Sequence, residues 1–281
     1  MSTLVQPKPA PLEVPTELDQ SGFVSGRIRA TEIHEQTWFP AALRNYVTDG
    51  LQFILGFGNI YQPIAQRLGR AVRKTGPRQI TDLCSGGGGP WPWLQRPLKR
   101  EIPTALEIYL TDKFPNLEAI KRTRKKPCEA IHYCSESIDA TNIPQELHGF
   151  RTMFSSFHHF SPDEAVAVLQ NAVDGREGIA IFEAARRRPL NILLTLLMPI
   201  GAFLSAPFIR PLQASRFFWT YVIPVVPFVL WFDGVLSCLR AYSPEELSEL
   251  VRKVDADGYT WEIGEERGWL GPVTYLVGYP I

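Results

Sequence analysis

From Arg78 onward the apolar positions follow two alternating rhythms. Short apolar runs near 79–84 (QITDLC), 105–111 (ALEIYLT), 129–134 (EAIHYC), 151–156 (RTMFSS) and 178–183 (GIAIFE) predict five strands. The segments between them, near 91–99, 115–125 and 162–174, carry helical spacing. The last has Pro162 near its start and Ala165, Val168, Leu169 and Ala172 on one face. Strand–helix alternation at this spacing predicts an α/β fold with a mostly parallel sheet covered on both faces. The end of the chain breaks the rhythm. After a helix near 244–254, two β-like runs at 259–265 and 273–279 flank Gly268 and Gly271, which predicts an antiparallel terminal hairpin and seven strands in all.

Upstream, 32–74 reads as helical, with Leu43, Tyr46, Val47, Leu51 and Ile54 at helical spacing after Pro40. A second helix is expected from Ile60 to Lys74, with Ile64, Leu68 and Val72 on its inner face. Pro7, Pro9, Pro11 and Pro15 mark an extended tail. The expected organisation is a proline-rich tail at 1–20, an N-terminal helical cap at 21–76, and an α/β domain at 77–281.

One tract departs from that pattern. Residues 190–209 and 217–232 carry no charged side chain, and Pro199, Pro207, Pro211, Pro224 and Pro227 cut them into short pieces. The first tract reaches the roughly 20 residues of a membrane span. Its position between strand five and the next helix requires both ends on one side of the sheet, which disfavours two full spans. Three readings of 189–232 remain: a lid over an apolar pocket, a homodimer contact, or a peripheral bilayer contact. In the last, Arg186–Arg188, Arg210 and Arg216 would meet the headgroups.

Composition narrows the classes. Lys and Arg total 29 and Asp and Glu total 29, so the chain is formally neutral and nucleic acid is not an expected partner. The four cysteines form no C-x-x-C pair and show no zinc spacing, so no metal site is expected. The start has no apolar run of the secretory kind, so a cytoplasmic location, with or without a membrane-peripheral contact, is expected.

The strongest chemical signal is Thr81-Asp82-Leu83-Cys84-Ser85-Gly86-Gly87-Gly88-Gly89-Pro90, between the first strand and a helix. Four glycines without Cβ atoms let a ligand approach the backbone at the carboxyl end of a strand. A phosphate loop needs a Lys and a Ser or Thr after the glycines, and Pro90-Trp91-Pro92 stands there instead. A dinucleotide loop needs a small residue where Trp91 falls. An acidic residue before spaced glycines, with Cys84 where the first glycine usually stands, resembles the first motif of class I S-adenosylmethionine-dependent methyltransferases of the small-molecule type.

That resemblance covers about 76–281 and implies a Rossmann-like sheet and S-adenosylmethionine as cofactor. It implies that Asp82, Cys84, Ser85, Gly86 and Gly88 meet the methionine part. Asp112, followed by Lys113, would take the ribose hydroxyls, and Ile138, Asp139 and Ala140 the adenine. Ser155, at the end of strand four, would face the cofactor. The segment Ser156-Phe157-His158-His159-Phe160 resembles the aromatic and phenolic O-methyltransferases. There a histidine before the equivalent helix is the general base; His158 falls on it, and His159 is the other candidate. Trp38, Tyr46 and Tyr61 are candidates for lining an acceptor cavity. Asp233, Arg240 and Tyr242 would either hold a polar acceptor group or form a buried ion pair. The expected activity is methyl transfer to a hydrophobic small-molecule acceptor at oxygen. The alternatives are a membrane-peripheral lipid or quinone methyltransferase, and a cofactor-binding protein of this fold without transfer activity.

Overall fold

A computed structural model of the chain describes residues 26–102, 106–125, 130–268 and 271–281. The proline-rich tail expected at 1–20 lies outside the described residues. Seven strands form one sheet: β1 (Gln79–Leu83), β2 (Glu107–Asp112), β3 (Ile131–Ser137), β4 (Phe150–Phe154), β5 (Ile179–Glu183), β6 (Tyr259–Glu266) and β7 (Val273–Pro280). Their order is β3-β2-β1-β4-β5-β7-β6. The first five pair in parallel, while β7 pairs antiparallel with both β5 and β6. The chain moves outward from β1 to β3, then returns to place β4 on the other side of β1. A crevice opens where such connections diverge, at the carboxyl ends of the strands.

The helices that cover the sheet carry the stripes that make them pack there. On one face, α2 (Ala65–Thr75) and α3 (Trp91–Glu101) bury Leu68, Val72, Trp91 and Leu98 against Ile80, Ile108 and Phe182. On the other, α5 (Pro162–Asp174) and α10 (Pro244–Val251) bury Val168, Leu169, Leu247 and Leu250 against Leu83, Met153 and Ile181. Each such side chain contributes roughly 1.5–3 kcal/mol by leaving water. Helices α5 and α10 begin with capping boxes, Ser161 with Glu164 and Ser243 with Glu246, each followed by proline at the first helical position. Helix α4 (Leu117–Lys125) lies between β2 and β3. Because α2 shares a core with the sheet, the two expected helices of the cap divide between two roles. Of these two, α1 (Ala41–Phe57) is the one that stands over the strand ends.

The apolar tract forms α6 (Pro189–Thr195), α7 (Met198–Ser205), α8 (Ala214–Phe217) running into one π-helical turn at Phe218–Val222, and α9 (Val225–Arg240). These pack on the side of α1 that carries Tyr46 and Val47, with Ala202, Val226, Val229 and Leu230 opposite. A buried pair pins the contact: Arg216 donates to Asp49 at 2.9 Å, and Asn116 donates to the other Asp49 oxygen at 3.1 Å. Among the described residues no single helix is long and apolar enough to cross a membrane. Ala214–Val222 and Val225–Arg240 pass that test only as a pair, bent by 69°.

Candidate active site

A cavity of about 500 Å³ opens over the carboxyl ends of β1, β2 and β4, within the range of small-molecule sites. Its floor is the loop after β1. Cys84 has φ of 57°, a left-handed conformation at the position where the resemblance expects glycine, and Gly86 follows at 53°. Gly88, at φ of 120°, is a conformation open essentially to glycine alone. A Cβ on Gly87 would sit 3.0 Å from the Thr48 carbonyl oxygen, so α1 approaches this loop backbone to backbone. Gln52 of α1 donates to the Gly89 carbonyl at 3.2 Å.

Two carboxyl groups hold the loop. Asp82 is buried and accepts from Ser85 at 2.6 Å and Thr152 at 2.7 Å. Burial outweighs these hydroxyls and pushes its pKa up to about 7. Asp112 accepts from the Gly86 amide at 2.7 Å and the Phe114 amide at 2.8 Å, joining the end of β2 to the glycine loop. A carboxylate offers about four lone-pair sites, so Asp112 keeps capacity for two further donors. The cavity wall carries five carboxyl groups, Glu32, Glu35, Asp82, Asp112 and Glu164, with Arg44, Lys113, Arg240 and His34 among them.

The structure brings Asp82, Cys84, Ser85, Gly86, Asp112, Lys113, Ser155 and His159 to one cavity wall, together with Tyr61. Ser155, at φ of 45°, bonds the Tyr61 hydroxyl at 2.5 Å and accepts from the Ala184 amide. Four expected cofactor contacts, Gly88, Ile138, Asp139 and Ala140, are not on that wall. Gly88 turns toward Gln52. Asp139 accepts from the Thr141 amide at 2.9 Å and the Thr141 hydroxyl at 2.7 Å, so its own turn captures it and holds its pKa low. Ile138 and Ala140 are buried, Ala140 in the core beneath α5. Trp38 is 70% exposed, and Tyr46 is buried with its hydroxyl on Ser215 at 2.6 Å, so neither lines the cavity.

The histidine pair divides differently from the sequence expectation. Both lie in one 3-10 turn, Phe157–His159. His158 is 2% exposed, with Nδ1 2.8 Å from Glu183 and Nε2 3.3 Å from Glu32. Burial alone would lower its pKa; the two carboxylates outweigh burial and raise it to about 9. His158 does not line the cavity, and its two carboxylate partners favour the protonated imidazole, which is the form that cannot accept a proton.

His159 lines the cavity. Its Nδ1 faces the Glu35 carboxylate. Burial, helped by His34 and Arg240, pushes its pKa down to about 4 against the pull of Glu32.

The surrounding network was not legible as a site in the sequence. Glu32, 1% exposed, accepts from Ser237 at 2.9 Å. Burial works to raise its pKa, but His159, His158 and His34 hold it well below the carboxylate range. Asp233 caps the 3-10 turn Ile33–Glu35 by accepting from the Ile33 and His34 amides, and bonds His34 Nδ1 at 2.8 Å. Arg240 donates to Glu35 and to the His159 carbonyl, while Tyr242 donates to the Phe160 carbonyl. Asp233 and Arg240 thus each pair with residues 32–35 rather than with each other. The signal available was the run Glu32-Ile33-His34-Glu35, three ionisable groups in four positions. Glu32, His34 and His159 each offer one ligand atom within 4.8 Å of the others, a spacing that could hold a metal ion. The same Glu32 carboxylate already faces His158 at 3.3 Å and Arg240 at 3.7 Å.

None of the residues 189–232 lines the cavity, which removes the lid reading: α1 stands between them and it. Arg186 and Arg187 are buried on Glu265 and Glu246, Arg188 is partly buried on Glu265, and Arg216 is buried on Asp49. Of the expected headgroup contacts only Arg210 is exposed.

No protein-family model and no curated protein matches this sequence. Solved structures do match in fold. Human N-acetylserotonin methyltransferase in complex with SAM aligns at a TM-score of 0.50 with 13% identity, covering 89% of this chain and 63% of that one. PigF with SAH aligns at 0.50 with 16% identity, covering 87% and 62%. Mitomycin 7-O-methyltransferase MmcR aligns at 0.46 with 16% identity, covering 82% and 56%. The chain therefore spans 56–63% of the length of these proteins. With the strand order above, the likeness to the first two gives this chain the fold of class I S-adenosylmethionine-dependent methyltransferases.

Proposed function

We propose that this chain binds S-adenosylmethionine and transfers its methyl group to an oxygen of an apolar small molecule, with His159 as general base. The observation that carries this reading is a single juxtaposition. The glycine loop after β1 and Asp112 after β2 share one cavity with His159, the imidazole that burial keeps neutral at physiological pH.

The residues present fit the cofactor. The αL backbone at Cys84 and Gly86 turns the loop along the cavity floor, and Asp112 has acceptor capacity left for two hydroxyls. Buried Asp82, which faces no Lys or Arg partner among the described residues and is raised toward neutrality, gains from a cationic group beside it. Bound there, the cofactor would supply an electrophilic methyl group on a sulfonium. The chain supplies the rest. Glu35 faces Nδ1, and a proton held on that nitrogen would leave the lone pair on Nε2 to take the acceptor proton. Arg240 fixes Glu35, and Leu51, Leu55, Tyr61 and Phe154 give the wall its apolar part.

Calorimetric titration tests the cofactor half. S-adenosylmethionine and its demethylated product should bind and NAD should not. Asp112→Asn should weaken binding roughly 10–100-fold through weaker hydroxyl bonds, about 1.4–3 kcal/mol. Equal affinity for NAD, or unchanged affinity in Asp112→Asn, would remove the cavity from this role.

A further inference from the structure

We propose that the outer face of α6, α7 and the 214–223 helical segment docks on the hydrocarbon of a lipid bilayer, and that the apolar acceptor reaches the cavity from there. The second clause rests on the function proposed above; the first does not.

Among the described residues, fourteen of the eighteen exposed large apolar side chains lie between Leu190 and Phe228. Leu190, Leu204, Phe208 and Val222 are each 65–69% exposed. Fourteen half-exposed side chains of this size come to on the order of 1,000 Å². The largest apolar patch of a typical monomer is roughly 300–600 Å². The helices beneath are packed on one another and on α1, so these side chains belong to one packed helical unit, and its apolar surface spreads onto α1: Phe53 stacks on both Phe208 and Phe57, and Phe57 is 82% exposed.

Two observations select a bilayer over a second copy of the chain. The first is charge. Residues 189–232 hold no Asp, Glu, Lys or His; their two charged residues are Arg210, exposed, and Arg216, buried on Asp49. Protein interfaces have polar rims and favour Tyr, Trp, Arg and Met over Leu and Val. This face offers mainly Leu, Ile, Val and Phe. The second is continuity. Helix α1 carries Phe53 and Phe57 on the apolar face, while Leu51, Leu55 and Gly56 of the same turns line the cavity. A lipid-soluble acceptor leaving the bilayer along this end of α1 would stay in apolar surroundings.

With the other arginines in ion pairs, docking is carried by apolar area rather than by attraction to anionic lipid. The test is flotation of the full chain with vesicles of phosphatidylcholine alone, at low salt and at 1 M NaCl, beside vesicles containing phosphatidylserine. The chain should float with phosphatidylcholine at both salt concentrations. Leu190→Glu, Leu204→Glu and Val222→Glu combined should lower the partition coefficient at least tenfold. These side chains are exposed, so the thermal unfolding midpoint and the affinity for the cofactor's demethylated product should not move. Three results would each overturn the proposal: a chain that stays at the bottom as a discrete dimer, one that floats only with phosphatidylserine and is released by salt, or a triple variant that floats like wild type. Flotation without cofactor affinity would keep the docking face and remove the function proposed for the cavity.

Discussion

Arg240 reaches across 205 residues of sequence to donate from Nη1 to the Glu35 carboxylate at 2.9 Å, and its Nη2 donates to the His159 carbonyl at 2.7 Å. One side chain on α9 therefore fixes both the carboxylate that faces His159 and the backbone that carries it. His158, one residue earlier, is held by a different pair, Glu183 and Glu32. The carboxylates around His158 favour its protonated form, while burial favours the neutral form of His159.

That division gives the first prediction. His159→Ala should lower turnover roughly 10²–10⁴-fold, with cofactor affinity nearly unchanged, because the imidazole acts only on the acceptor proton. His158→Ala should instead lower stability by about 3–5 kcal/mol, since it leaves Glu183 and Glu32 buried without their cation. Turnover per folded molecule and denaturant unfolding, measured on both variants, separate the roles. Normal turnover in folded His159→Ala would end its assignment as base.

The second prediction concerns Asp82. Its pKa lies near 7 in the ligand-free cavity, and a cationic ligand favours its ionised form. Binding of S-adenosylmethionine should then release a proton. Affinity should rise with pH up to about 7 and level above it. Asp82→Asn should flatten that rise. Calorimetry from pH 5.5 to 8.5 in two buffers of different ionisation enthalpy reads the proton directly; a flat wild-type profile would place the ligand away from Asp82.

What the sequence made legible, and what it did not, follows from the range of the interactions involved. The strands were readable because apolar runs such as Ile179–Glu183 are buried on both faces of the sheet, a demand written into consecutive residues. Asp82 and Asp112 line the cavity, and each is marked in the sequence by its place at a strand end. Asp139 occupies an equivalent place but does not line it, and Thr141, two residues on, takes its carboxylate. The Glu32–His34–Glu35 cluster is assembled only when α9 returns over the strand ends with Asp233, Ser237 and Arg240, and no local spacing announces that. The apolarity of 189–232 was plain, but hydropathy does not tell which face turns inward. The structure puts α1 between that tract and the cavity.

The third prediction concerns cations. Glu32, His34 and His159 have metal-ligand spacing, yet Glu32 is already neutralised by His158 and Arg240. A divalent ion would have to displace those contacts. Exhaustive dialysis against a chelator should leave turnover within about twofold of the untreated enzyme. A loss restored by one divalent metal would show that the cluster holds an ion and that His159 is a ligand rather than a base.

The last prediction is a pH dependence of stability. The folded pKa of His158 is raised to about 9 by Glu183 and Glu32, against an unfolded value near 6.5. A raised pKa means that the folded state binds the proton more tightly than the unfolded chain. The stabilisation is therefore complete below about pH 6.5 and is lost as pH rises through about 9. Asp82 acts in the same direction at lower pH, its contribution fading between the unfolded value near 4 and about 7. Above pH 7.5 Asp82 is largely ionised, and His34, whose pKa is raised against burial by Asp233 and Glu32, acts in the same direction as His158. Thermal unfolding midpoints of the wild type should fall from pH 7.5 to 9. His158→Gln, which keeps a donor but carries no titrating charge, should start lower and fall less steeply. Parallel slopes in the two proteins would mean that His158 is neutral in the folded state, which would also reopen the choice between the two histidines.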